Sequence, residues 1–235
     1  MNKEEDTIKF LEQNIKKEPK KSLDVACGYG PLVKKLSATY PNSRVYGLDV
    51  NCISLSKGIG KGNFERAIPI LGDAYCLGKK NSDFRFVYSD GEKTKLEKFN
   101  EPLKDFDLVT TVNPAFRLTS EEVNGLIMKK KLGKDREFIP IEFIAKPAKK
   151  EGHVLYETEI AHYSAGLRGG ISPHQVTEEI IEKALEERIK EGRKSRLEYV
   201  SHELIKENIE CEYFTVPQKI TRPVSVELAV LFKKK

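Results

Sequence analysis

No stretch of this chain approaches the roughly 18 consecutive apolar residues needed to cross a bilayer, so no membrane partner is expected. The opening residues Met1-Asn2-Lys3-Glu4-Glu5-Asp6 are too polar for a secretory signal. Cysteine is scarce: Cys27, Cys52, Cys76 and Cys211 stand far apart, without the close pairs of a zinc site or a redox couple. They read as reduced thiols, no metal centre is expected, and the protein is expected to be cytoplasmic. No internal repeat or long low-complexity tract is visible. Charge of one sign is also nearly absent in excess. The 41 Lys and Arg are interspersed with 36 Asp and Glu, and the net +5 permits an anionic partner without requiring one.

What is present suits one α/β domain: 235 residues, 39% of them hydrophobic, can cover a central sheet on both sides. Ile8, Leu11 and Ile15 share a face, which predicts an N-terminal helix over 4–18. Strands are expected at 22–26, 44–49, 84–90, 107–112 and 153–160. A helix carrying Leu32, Val33, Leu36 and Tyr40 follows the first strand, with Pro31 well placed at its start. Within 53–79, Gly58, Gly60, Gly62 and Pro69 speak against any single helix. Thr119 with Glu122 forms a capping box. Residues 161–175 read as a Gly-rich loop, and Ser172-Pro173-His174-Gln175 as the start of a helix that Gly192 stops. Ser195 with Glu198 predicts one more helix holding Leu197, Val200, Leu204 and Ile205. Two short β-rich segments, 211–216 and 225–232, separated by Pro217 and Pro223, close the chain.

The most informative residues are Leu23-Asp24-Val25-Ala26-Cys27-Gly28-Tyr29-Gly30-Pro31-Leu32. An apolar strand ends in an acid, and two glycines then open a helix, where the backbone must turn tightly and admit a ligand closely. The position three after Gly30 is Val33, so the dinucleotide pattern of three glycines is not met. Asp24, Ala26, Gly28 and Gly30 resemble motif I of the class I S-adenosylmethionine-dependent methyltransferases, with Ala26 where Gly is commoner. The Lys146–Gly152 turn before the fifth strand is similar to the same family's crossover, and its terminal strand pair is also the family's ending.

The resemblance implies an α/β, Rossmann-like, mostly parallel sheet of seven strands, with helices on both faces and the last strand antiparallel. Residues 1–235 would form a single methyltransferase domain, with a substrate-side insertion at about 161–196. S-adenosyl-L-methionine is the implied cofactor. Asp24 would attend its cationic methionine end, and the loop Ala26-Cys27-Gly28-Tyr29-Gly30 would receive its carboxylate. Asp49, nineteen residues after Gly30 and followed by Val50, would accept from the ribose hydroxyls. Asp90, followed by Gly91, is preferred for the adenine amino group, with Asp73 of Gly72-Asp73-Ala74 as the alternative.

Asn113-Pro114-Ala115-Phe116, directly after the fourth strand, resembles the (Asp/Asn/Ser)-Pro-Pro-aromatic motif IV of methyltransferases acting on adenine, cytosine or glutamine amide nitrogens. Asn113 and the Pro114 carbonyl would accept the acceptor's N–H groups, and Phe116 would stack on its plane. Ala115 departs from the motif. Three readings therefore stand: a planar amino or amide nitrogen in RNA, DNA or protein; a small-molecule N- or O-methyltransferase; and a catalytically silent, cofactor-binding regulator. Tyr163 and Arg168 could form a lid, His162 and His174 could contact the acceptor, and Arg188, Lys190, Arg193, Lys194 and Arg196 could meet phosphates. A solvated helix end is the commoner meaning of such a basic run.

Overall fold

Strands at the middle of a parallel sheet are covered on both faces, so their residues are buried whichever way they point. Lys21–Val25 (β1) and Phe106–Val112 (β6) have this character, and they pair in parallel at the centre, Leu23 opposite Val109 and Asp24 opposite Thr110. The computed structural model describes residues 3–79, 82–90, 93–112, 139, 141–162, 177–213 and 216–235, with the backbone alone at 158–162, 206–213 and 216–226. Outward from β1 lie Arg44–Asp49 (β2) and Ala67–Leu71 (β3), both parallel, then the antiparallel strands Arg85–Ser89 (β4) and Thr94–Lys98 (β5). Beyond β6 come Ala148–His162 (β7, parallel), Leu197–Tyr213 (β8) and Val216–Lys234 (β9). The last strand inserts antiparallel between β7 and β8, so the order is β5-β4-β3-β2-β1-β6-β7-β9-β8.

Helices cover both faces. On one side Lys3–Asn14 (α1) and Pro31–Thr39 (α2) bring Phe10, Leu11, Val33 and Leu36 onto Val45, Leu108, Leu155 and Leu231. Cys52–Gly60 (α3) adds Leu55 to that layer. On the other side Ile141–Ala145 (α4) and Glu178–Lys194 (α5) lie against Val109, Val154, Tyr156 and Phe232. No helix among the described residues is long and apolar enough to cross a membrane.

Nine strands lie among the described residues where seven were expected, the two additional ones being β3 and β5. The additional hairpin partner, β5, is exposed at every position, and its Thr-Lys-Leu-Glu-Lys carries no buried face to betray it. The helix expected from Ser195 is instead the strand β8. Ser195 is the C-cap of α5, its N–H returning to Glu191 and Gly192, and the long ladder with β9 outweighs a helical spacing of four apolar residues. Gly192 does not stop α5 but lies inside it, because a Cβ there would stand 2.5 Å from the Phe232 ring. The α5 cap is Thr177, whose hydroxyl accepts the Ile180 N–H at 3.4 Å, not Ser172; residues 163–176 lie outside the described residues, as does the Thr119 capping box. The closing segments are one long hairpin, β8 with β9, rather than two short strands. Pro217 and Pro223 fit β9 because that stretch, before Ser225, has β8 on one side and, among the described residues, no pairing to β7 on the other.

α1 is fastened to the sheet by charge. Lys3 Nζ reaches Glu227 at 2.6 Å and Glu157 at 3.8 Å, and the Thr7 hydroxyl donates to Glu157 at 3.0 Å. Burial, reinforced by the neighbouring Glu227, holds the Glu157 carboxyl well above the usual range. A raised folded-state value means that this group's contribution is complete below about pH 4.5 and is lost as pH rises through the folded value. Lys3→Ala removes the cation that opposes that loss. It should cost roughly 1–3 kcal/mol, less than a fully enclosed pair because Lys3 is partly solvated. Urea unfolding should show a deficit that widens from pH 4 to pH 8; an equal deficit at both would mean that Lys3 acts by packing alone.

Candidate functional site

In an open α/β sheet the ligand crevice lies where neighbouring strands feed connections in opposite directions, at their carboxyl ends. Here that point is the β1–β6 boundary, since the chain leaves β1 towards β2 while β6 lies on its other side. The turn after β1 is shaped for close approach: Ala26, Gly28 and Gly30 have φ of 60°, 57° and 79°. Gly30 is also the N-cap of α2, with Pro31 in its first turn, so the amides of that turn face the same crevice. A Cβ on Gly28 would find nothing within 4 Å, so this backbone borders open space. Left-handed Ala26 is a strained position for a residue with a Cβ.

Asp49 joins the end of β2 to this turn. Its Oδ2 accepts the Gly28 N–H at 2.8 Å and its Oδ1 the Asn51 N–H at 2.7 Å. Burial raises its carboxyl above the ordinary value, and the backbone donors of Asn51, Gly28 and Val50 oppose that rise. A carboxylate has about four lone-pair sites, so room remains for a hydroxyl of a vicinal diol.

Asp24 is 3% exposed, and its Oδ1 accepts the Thr110 hydroxyl at 2.8 Å. Burial pushes its carboxyl up to about 7; the Thr110 bond opposes this, and the charge of Asp49 adds to it. Among the described residues no cation offsets Asp24. A buried anion beside an open turn and a helix N-terminus matches a ligand that is cationic at one point and anionic at the next. The donor set therefore fits the methionine end of S-adenosylmethionine.

The other expected residues divide. The thiol of Cys27 is buried in the core with Val33 and Leu55, leaving only its backbone to the turn. Tyr29 is 43% exposed and its ring lies against the Lys61 ammonium, 4.9 Å from the ring centre, while its carbonyl accepts from Asn63 at 2.8 Å. Val50 is half-buried next to Asp49. Asp90 requires correction. Leu71 pairs with Arg85 in antiparallel fashion, so β4 starts at the carboxyl edge and ends at the opposite one. Asp90 consequently sits in the β4–β5 hairpin, bonded to the Lys93 N–H and the Lys95 ammonium, away from Asp24 and Asp49. Gly91 lies outside the described residues.

Asp73 instead follows the parallel strand β3 at the carboxyl edge, where Oδ1 accepts the Tyr75 N–H at 2.9 Å and starts the one-turn helix Ala74–Cys76. Asn113, Pro114 and Phe116 lie outside the described residues, but β6 brings the chain to Val112, two residues past Thr110 and its bond to Asp24. Tyr163, Arg168 and His174 are likewise outside, and His162 is the last residue of β7. Of the basic run, Arg193 and Lys194 end α5 and Arg196 precedes β8, at the edge opposite the crevice. Arg188 is engaged internally, with Glu191 at 2.8 Å and above the Tyr156 ring. Thr110 was not foreseen; its only sequence signal is the Thr110-Thr111 pair interrupting an otherwise apolar central strand.

No protein-family model matches the sequence, and no curated protein matches it. Among solved structures, the methyltransferase domain of bacterial CtHen1 is similar over 98% of this chain and 96% of its own, at 12% identity and a TM-score of 0.52. Precorrin 8W decarboxylase of Methanobacterium thermoautotrophicum is similar over 98% of this chain and 90% of its own, at 13% identity and a TM-score of 0.50. A protein described under the conversion of a disulfide bond into a thioacetal group during echinomycin biosynthesis is similar over 97% of this chain and 81% of its own, at 12% identity and a TM-score of 0.51. At this level of identity the likeness concerns the fold alone, an α/β fold with a mostly parallel central sheet that the CtHen1 methyltransferase domain shares.

Gly58 offers a check on the crevice. A Cβ there would lie 2.2 Å from the Tyr29 carbonyl and 2.6 Å from the Phe64 ring, so only glycine lets α3 support the turn this closely. That contact explains why a residue expected to break the helix sits inside it. Gly58→Ala should push α3 off the turn, costing about 1–3 kcal/mol of stability. S-adenosylhomocysteine affinity should fall by about tenfold or more in calorimetry; unchanged affinity would detach α3 from the site.

Proposed function

We propose that this chain is an S-adenosylmethionine-dependent methyltransferase acting on a planar amino or amide nitrogen of a nucleic acid or a protein. Residues 1–235 would act as one catalytic domain, with 161–196 as the substrate-side insertion. The observation that carries the cofactor part is Asp24: an enclosed carboxylate, opposed by no cation among the described residues, at the mouth of a left-handed glycine turn. When bound, S-adenosylmethionine supplies an electrophilic methyl group on a sulfonium sulfur. Asp24 would then steady the cationic methionine end, the turn and the first amides of α2 its carboxylate, and Asp49 the ribose. Asp73 replaces Asp90 as the acceptor for the adenine amino group, because it shares the edge on which Asp24 and Asp49 lie.

The acceptor part rests on Asn113-Pro114-Ala115-Phe116. A nitrogen conjugated to a ring or carbonyl is a poor nucleophile, since its lone pair is delocalised. Two acceptors, the Asn113 amide oxygen and the Pro114 carbonyl, would draw its N–H groups out of plane and turn the lone pair towards the methyl. Phe116 would hold the plane by stacking. Alignment and water exclusion then supply most of the rate, and no base need act first.

Two measurements test the reading. Calorimetry should show S-adenosylhomocysteine binding and no response to NAD. Tritiated methyl groups should next enter RNA, DNA or protein of a cell extract. Label confined to metabolites would replace the acceptor class, and tight binding without any transfer would make the chain a silent regulator. A site that takes NAD in preference to the homocysteine compound would end the proposal.

A further inference from the structure

The Asp24 carboxylate is buried, so something must orient it before a ligand arrives. Only one side chain among the described residues is recorded bonding to it. Thr110 lies on β6 in register with Asp24, is fully buried, and gives its hydroxyl proton to Oδ1 at 2.8 Å. Valine would fill the same volume and suit a central parallel strand better, because a buried hydroxyl is costly unless it is bonded. The neighbouring Thr111 faces the opposite side of the sheet, as alternation along a strand requires, and its buried hydroxyl has no partner among the described residues. The hydroxyl at 110 is therefore the one with a task.

We propose that Thr110 is a positioning residue for cofactor binding: it acts through Asp24, pinning one carboxylate oxygen and leaving the other for the cation of the incoming ligand. The inference rests on the methyltransferase reading of the crevice and deepens it by adding a residue that touches no ligand. Two physical consequences follow from one hydrogen bond. The carboxylate plane is set in advance, so less freedom is lost on binding. The ionised form is also favoured, because a hydroxyl donor stabilises the charge that burial and Asp49 oppose. Asp24 titrates at about 7 in the free protein, so affinity for a cationic ligand rises as pH climbs through that value and is lost below it. Without the hydroxyl that midpoint moves upward.

The test uses full-length wild type, Thr110→Val and Thr110→Ser, titrated with S-adenosylhomocysteine between pH 5.5 and 9. Its amino group is the cationic probe. A hydrogen bond to a charged group is worth a factor of roughly 10 to 100, so Thr110→Val should bind that much more weakly at pH 7. Its affinity midpoint should shift up by about one pH unit. Thr110→Ser should restore the midpoint, since it keeps the hydroxyl and loses only the methyl. A packing role gives the reverse pattern, with the midpoint unmoved and Ser no better than Val. A carboxyl titration of Asp24 by NMR in the free proteins should show the same upward shift in Thr110→Val, with no ligand involved. An unmoved midpoint in a wild type and variant that both bind overturns the role of Thr110 alone. Absence of binding by the wild type overturns it together with the cofactor reading.

Discussion

Asp24→Asn should yield a protein that is more stable and binds S-adenosylhomocysteine far more weakly. The native carboxyl titrates at about 7 when folded, against 3.8 in the unfolded chain. Its folded-state value is raised, so the folded state loses stability as pH climbs from about 4 to about 7. Three units correspond to about 4 kcal/mol, an upper bound because a charged group draws in water or relaxes its surroundings. An amide of the same shape carries no such penalty and can keep the Thr110 bond through its oxygen. Unfolding in urea should therefore favour the variant by about 2–4 kcal/mol at pH 8 and show little difference near pH 4. S-adenosylhomocysteine affinity should fall by about 100-fold, because the site loses its anion. A carboxylate that the fold would be better without is retained for something else. A variant that is less stable at pH 8, or that binds normally, would make Asp24 a structural residue.

Asn113→Ala should have the complementary phenotype: cofactor binding within about twofold of native, and transfer reduced by about 10³ or more. Loss of one preorganised hydrogen-bonding group at a reacting centre commonly costs about 10²–10³ in rate. Asn113 would also help to reshape the nucleophile, so the upper end is expected. The comparison has to be made in single turnover with saturating cofactor, so that the chemical step is read without product release. Transfer that survives in the Ala variant would rule out the amino-acceptor mechanism while leaving the cofactor site standing. Asp24→Asn and Asn113→Ala thus separate holding the donor from presenting the acceptor.

The contrast between Asp73 and Asp90 shows where sequence reading succeeded and where it stopped. Both follow strand-like segments, and Phe84-Arg85-Phe86-Val87-Tyr88 has the stronger alternation. Which one stands at the carboxyl edge depends on strand direction, and that is set by the antiparallel pairing of β4 with β3. β8 failed for a related reason. Leu197, Val200, Leu204 and Ile205 carry a helical period, yet the ladder to β9 and a bulge between Tyr199 and Ser201 bury Leu197 and Ile205 from a strand. Glycines misled in the same sense: Gly58 and Gly192 looked like breakers but are helical residues at close contacts with Tyr29 and Phe232.

The glycine turn after β1 and the acid closing β2 were legible because they answer local demands: a backbone in the left-handed region needs small residues, and a strand needs its apolar run. Those demands can be read in any short window of the chain. The charge on Asp24, the partnership with Thr110 and the edge on which each acid emerges could not be read that way. They arise from burial and from strands meeting across 86 residues of chain, and no local pattern encodes how far a carboxylate will stand from water once the sheet has closed over it.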